Sequence, residues 1–216
     1  MKQSKFFFSG IIISLLASFA VQPAAEAFSA SDLAAVTGGQ NRPHADLSNA
    51  NLSGADLTGL DLTGANLENA NLTGARLERT ILDKASLQGC KLKRTVFSEA
   101  RLSDANLKDA QAPYAYFGHA DMTNADLSGG DFYRADFRGA KLTGVTAYTG
   151  NFQESTFDKA DLHRSDFTFA NLSYCWMYEA DLSDSLFAGA TCMRSTATAS
   201  RRSARILPAP NWGKPL

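Results

Sequence analysis

Residues 45–74 read ADLSNANLSGADLTGLDLTGANLENANLTG, and the phase they set holds to about residue 190. Taking every fifth residue from Leu47 to Phe187 gives 29 positions, and 27 of them are Leu, Phe or Met; Ala112 and Ala147 depart. Two residues earlier in each unit, from Ala45 to Ser185, 27 of 29 positions hold Ala, Gly, Ser, Thr or Cys, with Leu60 and Val145 departing. An α-helix returns its buried face about every 3.6 residues and a strand about every 2, so a period of five belongs to neither element. A continuous coil accounts for it: each unit is one short extended side, the chain turns a corner, and the next large residue points into the same interior.

The A(D/N)LXX units, such as Ala50-Asn51-Leu52-Ser53-Gly54 and Ala180-Asp181-Leu182-Ser183-Asp184, resemble the pentapeptide repeat family over roughly two thirds of the chain. That resemblance implies an all-β fold, a right-handed quadrilateral β-helix with four units per coil and about seven coils. The hand agrees with the general preference of crossovers between parallel strands. Twenty residues per coil also fix which side chains stack. Leu57, Leu77, Phe97, Phe117, Phe137, Phe157 and Met177 form one inward ladder, and Leu62, Leu82, Leu102, Met122, Leu142, Leu162 and Leu182 another. A spacing of about 4.8 Å between rungs gives a rod of about 35 Å. A single coil buries too little to offset its ordering entropy, so stability is expected to be shared between neighbouring coils.

The ends differ in composition from the repeat. Residues 1–27 read as an export signal: Lys2 and Lys5, an apolar run from Phe6 to Val21, and an A-x-A site ending at Ala27. The apolar run falls short of the roughly 20 residues of a spanning helix, which disfavours an uncleaved anchor. Residues 28–44 read as a cap or linker, with Ser31 capping a helical turn over 32–36 and Gly38-Gly39 ending it. Residues 45–194 are the β-helix. Residues 195–216 are a basic, Pro-containing tail, with Arg201, Arg202, Arg205 and Lys214, whose Ile206, Leu207 and Trp212 could cover the last coil.

Outward positions form columns 20 residues apart. Asn51, Asn71, Asp131, Asn151 and Asn171 share one, interrupted by Lys91 and Gln111, and read as a structural amide ladder. Arg101, Asp121, Lys141 and Asp161 alternate in sign up another and read as screened ion pairs. Glycines such as Gly54 and Gly144 mark corners that require positive φ. From Gln111 to His119 the large inward residue is lost and Pro113 stands at a corner, so a local distortion is expected there. Tyr114, Tyr116, Tyr133, Tyr174, Trp176 and Tyr178 cluster near one corner and are the candidate partner surface. A corner shield, or a cover for the tail, would use the same residues.

The residues carry little chemistry. His44, His119 and His163 fall too far apart to share a metal, and the Asp residues stand where the repeat itself uses Asp or Asn. No phosphate loop or nucleophile elbow is present. Cys90 and Cys175 fall in small inward positions and Cys192 in a large one; the spacing excludes a disulfide and burial predicts inert thiols. The chain has a formal charge of −1, but residues 45–194 hold 20 acidic against 14 basic side chains. Some members of the family are thought to mimic DNA and shield a topoisomerase; that alternative calls for a cytoplasmic protein with strongly acidic faces, and the leader together with Arg94, Arg134 and Arg138 argues against it. The expectation is therefore a non-enzymatic, exported structural or protein-interaction rod in the periplasm, or in the thylakoid lumen of a photosynthetic source. Its expected partner is another protein or a second copy of the rod, with the membrane met only through the leader. No cofactor, metal or small-molecule substrate is expected, and nucleic acid is disfavoured.

Overall fold

A computed structural model describes residues 28–198; the segment read above as an export signal and the tail beyond Thr198 lie outside the described residues. The chain enters through helix α1, Ala30–Thr37. Its N-cap is Ser29 in place of the expected Ser31: Ser29 has extended dihedrals and its hydroxyl accepts the Asp32 N–H, whereas Ser31 is already helical. Gly38 closes the helix, its N–H bonding back to the Ala34 carbonyl. Asp32 then ties the helix to the first coil, accepting from Arg42 Nε at 2.8 Å and from the Asp46 N–H at 3.0 Å. Val36 is fully buried, and Phe28 and Leu33 pack against the same core. The helix thus covers the rung that would otherwise expose an apolar end and a backbone edge.

From Asp46 onward, each residue preceding a large inward residue bridges in parallel to the residue 20 positions later, from Asp46↔Asn66 to Asn171↔Thr191. Four five-residue sides therefore make one coil. We number the sides by their first large residue: side 1 from Leu47, side 2 from Leu52, side 3 from Leu57 and side 4 from Leu62. The coil begins one unit before the sequence pattern does. Arg42 and His44 already donate backbone N–H groups to Asp61 and Thr63, and Ala45 N–H closes a turn onto Arg42 O. The side chains of Arg42 and His44 are exposed, which is why this unit carries no apolar signature.

Each corner is a turn closed by a bond from the small residue to the carbonyl of the large one before it, as in Ala50 N–H to Leu47 O at 3.0 Å. The second central residue has positive φ at every corner from His44 to Arg194 and the first does not, the sign pattern of a type II turn. Most of these corners are not glycine: Asn49, Arg134 and Phe169, at φ 59°, 55° and 58°, adopt the left-handed conformation that a lone residue would avoid. The Asp or Asn before each large residue holds the corner from outside. Its side-chain oxygen accepts the N–H two residues on, as Asp46 does from Ser48 at 3.2 Å and Asp181 from Ser183 at 2.9 Å. This is the physical content of the repeat's Asp/Asn position. Amides in this position also bond up the column, Asn71 to Asn51 at 3.2 Å and Asn151 to Asp131 at 2.8 Å.

The distortion expected between Gln111 and His119 does not occur. Pro113 occupies the first central turn position, where its fixed φ fits, and the Arg94 N–H still bonds to the Pro113 carbonyl at 3.1 Å. Near the top of the rod side 3 carries strand β1, Trp176–Tyr178, which pairs in parallel with β2, Thr196–Thr198, while the Ala180 N–H still closes the corner onto the Met177 carbonyl at 3.3 Å.

All seven residues of the ladder from Leu57 to Met177 are fully buried, and Phe97, Phe117, Phe137 and Phe157 stack face to face at 4.9–5.0 Å between centroids. A second stack, Phe132 on Phe152 at 5.0 Å, leans against the first. This second stack determines Gly130 and Gly150. A methyl group at either position would lie 2.5–2.6 Å from a ring carbon of Phe132 or Phe152, so the small position must be empty there. Polar residues in small positions are satisfied by the coil beneath: Thr80, Thr95, Cys90 and Ser155 each donate to the carbonyl of the large residue 23 positions earlier, at 2.7–2.8 Å. Among the described residues, no buried side-chain nitrogen or oxygen lacks a hydrogen-bond partner.

Candidate functional site

With the interior filled, binding chemistry must come from outward positions. Five of the six predicted aromatic residues gather where side 2 turns into side 3, with Tyr178 at the far end of side 3, and the six divide into two groups. Tyr114 and Tyr133 meet edge to face at 5.7 Å, each under a guanidinium: Arg94 lies 6.0 Å from the Tyr114 centroid and Arg134 5.3 Å from that of Tyr133. Both are half-buried, and the Tyr133 hydroxyl donates to Glu154 at 3.0 Å. Glu154 also pairs with Arg134 at 2.6 Å. Loss of hydration and then the bond to Glu154 raise the Tyr133 phenol, while the Arg134 bond holds Glu154 below the usual carboxylate range. This lower group is internally satisfied.

The upper group is open. Tyr174 is 40% exposed, Trp176 58% and Tyr178 53%, while Tyr116, three coils below Trp176 in its column, is 47% exposed. Tyr174 and Trp176, with Glu154, Cys175, Arg194 and Thr196, line a shallow open concavity of about 320 Å³. Sequence reading missed a further apolar set on neighbouring sides. Tyr148 and Phe169 pair edge to face at 5.6 Å, and Leu186 and Met193 are also exposed. A signal existed: Phe169 occupies a corner otherwise given to Gly, Asn, Asp or Thr on that side. The ring of Phe169 leans over Gly189, where any side chain would meet it at 2.4 Å.

The alternating charged column is only partly paired. Lys141 reaches Asp121 at 3.4 Å, but Arg101 turns sideways to Asp83. For Asp121 and Asp136, burial pushes the carboxyl up, but the hydroxyl and N–H of Thr123, with Lys141, outweigh it at Asp121 and the Arg138 guanidinium outweighs it at Asp136, so both end below the usual range. All three cysteines are free and buried. Burial pushes the Cys90 and Cys192 thiols up to about 12 and raises Cys175 too, so none is a nucleophile at neutral pH. Among the described residues, no cluster of three or more His, Cys, Asp or Glu side chains is placed to hold a metal ion, and no helix is long and apolar enough to cross a membrane.

A four-sided solenoid with a solid core and recognition confined to its walls is the class of protein these features define. The family profile described as "Pentapeptide repeats" matches in eight copies, over residues 45–83, 80–113, 106–144 and 151–184. The chain belongs to the pentapeptide repeat family, has its right-handed quadrilateral β-helix fold, and shares a family whose members are in general non-enzymatic structural modules. The profile skips residues 145–150, the stretch with Val145 and Ala147 in the wrong size classes, yet the ladder crosses it unbroken. Among solved structures the chain is similar to HetL, a pentapeptide repeat protein involved in heterocyst differentiation regulation from the cyanobacterium Nostoc sp. strain PCC 7120, at 24% identity over 76% of this chain and 92% of that one, TM-score 0.39. It is similar to a pentapeptide repeat protein of the Arabidopsis thaliana thylakoid lumen at 32% identity, covering 46% and 63%, TM-score 0.38. It is also similar to QnrB1, a plasmid-mediated fluoroquinolone resistance protein, at 22% identity, covering 67% and 80%, TM-score 0.35. No curated protein matches the chain.

Proposed function

We propose that this protein is an exported, non-catalytic rod that captures another protein, in the periplasm or a thylakoid lumen, through the aromatic corner between sides 2 and 3. The observation that carries the reading is the exposure of Tyr116, Tyr174 and Trp176 on one edge, with Tyr178 beside them on side 3, of a fold that does not need them. Each stands at an outward position that smaller polar residues fill elsewhere, and exposed Tyr and Trp are the residues interfaces favour. Export is read from the first 27 residues, which lie outside the described structure. The DNA-mimic alternative gains no support from this edge, since Arg94, Arg134 and Arg194 line it.

The test replaces Trp176 and Tyr116 together by Ser. The double variant is expected to melt within about 1 kcal/mol of the parent, as outward substitutions do, and to lose capture of partner protein from the native envelope or lumenal fraction. Undiminished capture would sink the proposal.

A further inference from the structure

Charge on the rod is segregated by side. Over residues 45–194, side 2 carries Lys91, Lys93, Arg94, Arg134 and Arg194 against only Asp131 and Glu154, a formal +3, while sides 1, 3 and 4 carry −4, −2 and −3. From Asn51 to Tyr114 side 2 has no carboxylate at all. On the other sides five of the nine basic side chains are ion-paired: Arg76 with Asp56 and Glu78, Arg101 with Asp83, Arg138 with Asp136, Lys141 with Asp121 and Lys159 with Glu179. Lys91, Lys93 and Arg94 are exposed and, among the described residues, none forms an ion pair. One unit of one coil thus projects three uncompensated cations from an otherwise acidic rod.

We infer that side 2 docks an acidic, extended segment of a partner protein, lying along the rod from Lys91, Lys93 and Arg94 at one end to the Tyr174–Trp176 concavity and Arg194 at the other. The inference rests on the reading of the rod as an interaction module and adds the chemistry of its partner. The path from Arg94 to Arg194 is five rungs, about 24 Å, the reach of roughly seven extended residues. Between the ends lie Gln111, Asn151, Asn171 and the Tyr114–Tyr133 pair, and the two carboxylates on this stretch are engaged within the side: Glu154 by Arg134 and the Tyr133 hydroxyl, Asp131 by the Tyr133 N–H and the Asn151 amide. The acidic flanking sides repel a broad polyanion and confine an acidic strand to this one face, so charge supplies alignment as well as attraction.

A second copy fits less well. A two-fold contact through side 2 would set one net-positive side against another, and packing side 2 on an acidic side of a neighbour would be heterologous, giving a ring or filament in place of a simple pair. Duplex DNA or an anionic bilayer presents a surface far wider than this face and would meet the acidic sides too.

Fluorescence anisotropy of a labelled peptide of alternating Glu and Ala tests the assignment on the mature full chain. Binding is expected at low salt, weakening as salt rises. It should fall about tenfold or more in Lys91→Glu/Lys93→Glu/Arg94→Glu and stay unchanged in the side-4 control Lys84→Glu/Arg164→Glu, with both variants checked for parental melting. Equal binding by both variants, or none by the parent, overturns the inference. So does tighter binding of a DNA duplex or phosphatidylglycerol vesicles than of the peptide, or salt-sensitive self-association abolished by the triple change. Native-partner capture that survives the triple change but not Trp176→Ser/Tyr116→Ser would keep the interaction module and discard its acidic specificity.

Discussion

The lower and upper halves of the rod share one backbone and differ in what they do with size. Below Phe97 the large inward positions are all Leu, the small ones are mostly Ala, and among the described residues no large apolar side chain is exposed until Tyr116. Above it, rings fill the axis, Gly and Ser enter the small positions, and seven of the eight exposed large apolar residues lie between Tyr148 and Met193. The corner turns and the 20-residue ladder are the same in both. A fold held by backbone bonds and corner carboxylates and carboxamides leaves its core volumes and its walls free to vary independently, so the upper half can hold rings inside and apolar side chains outside.

The sharpest way to break that comparison is to remove one ring. Phe137 stacks between Phe117 and Phe157 and leans on Phe132 and Phe152. Phe137→Ala is expected to cost about 3–5 kcal/mol and Leu77→Ala about 2–5, with the ring variant the worse of the two in urea unfolding. Ser128→Ala, facing outward, should stay within about 0.5 kcal/mol. A Phe137 variant no less stable than the Ser128 one would dismantle the packing scheme.

The glycines sharpen the comparison further. Gly130→Ala places a methyl against Phe132 and is expected to cost about 1–3 kcal/mol. Gly54 has a φ of 68° and open space around its missing side chain. Gly54→Asn adopts what Asn49 and Asn69 already adopt and should cost under about 1 kcal/mol. Thermal melts that rank Gly54→Asn as the more damaging would show that corners, not ring packing, set the demand for glycine.

Periodicity made nearly all of the interior legible, because one residue in five must be large and one small for any coil to close, and Leu47 or Phe187 answers only to that rule. The walls were less legible. Arg101 pairs with Asp83 on the coil below, not with Asp121 in its own column, since long side chains reach sideways as easily as upward. The Tyr133 hydroxyl belongs to Glu154, a choice no column reading makes. Helix α1 was visible as a cap, but Ser29 beat Ser31 because the cap must also bond to the first coil, where its N–H meets the Asp46 carbonyl. The basic side emerged only once units were sorted into four sides.

An effect smaller than that of a lost ring concerns Cys90 in the lower half. Its thiol donates to the Leu67 carbonyl and is pushed up to about 12 by burial, against about 8.5 in an unfolded chain. Below about pH 8.5 both states hold the proton and pH does not matter. Above it the unfolded chain releases the proton and the native one retains it, so native stability falls as pH rises, approaching a slope of about 1.4 kcal/mol per unit, with a total loss of about 1.4 kcal/mol by pH 9.5. Cys90→Ser keeps a donor for Leu67 and removes the titration. Urea melts at pH 7.5 and 9.5 should therefore show a loss in the parent that is about 1.4 kcal/mol greater than in the variant. An identical pH response in the two proteins would mean that the small positions of the lower coils admit water, and that the tight packing of the upper half does not extend to the base of the rod.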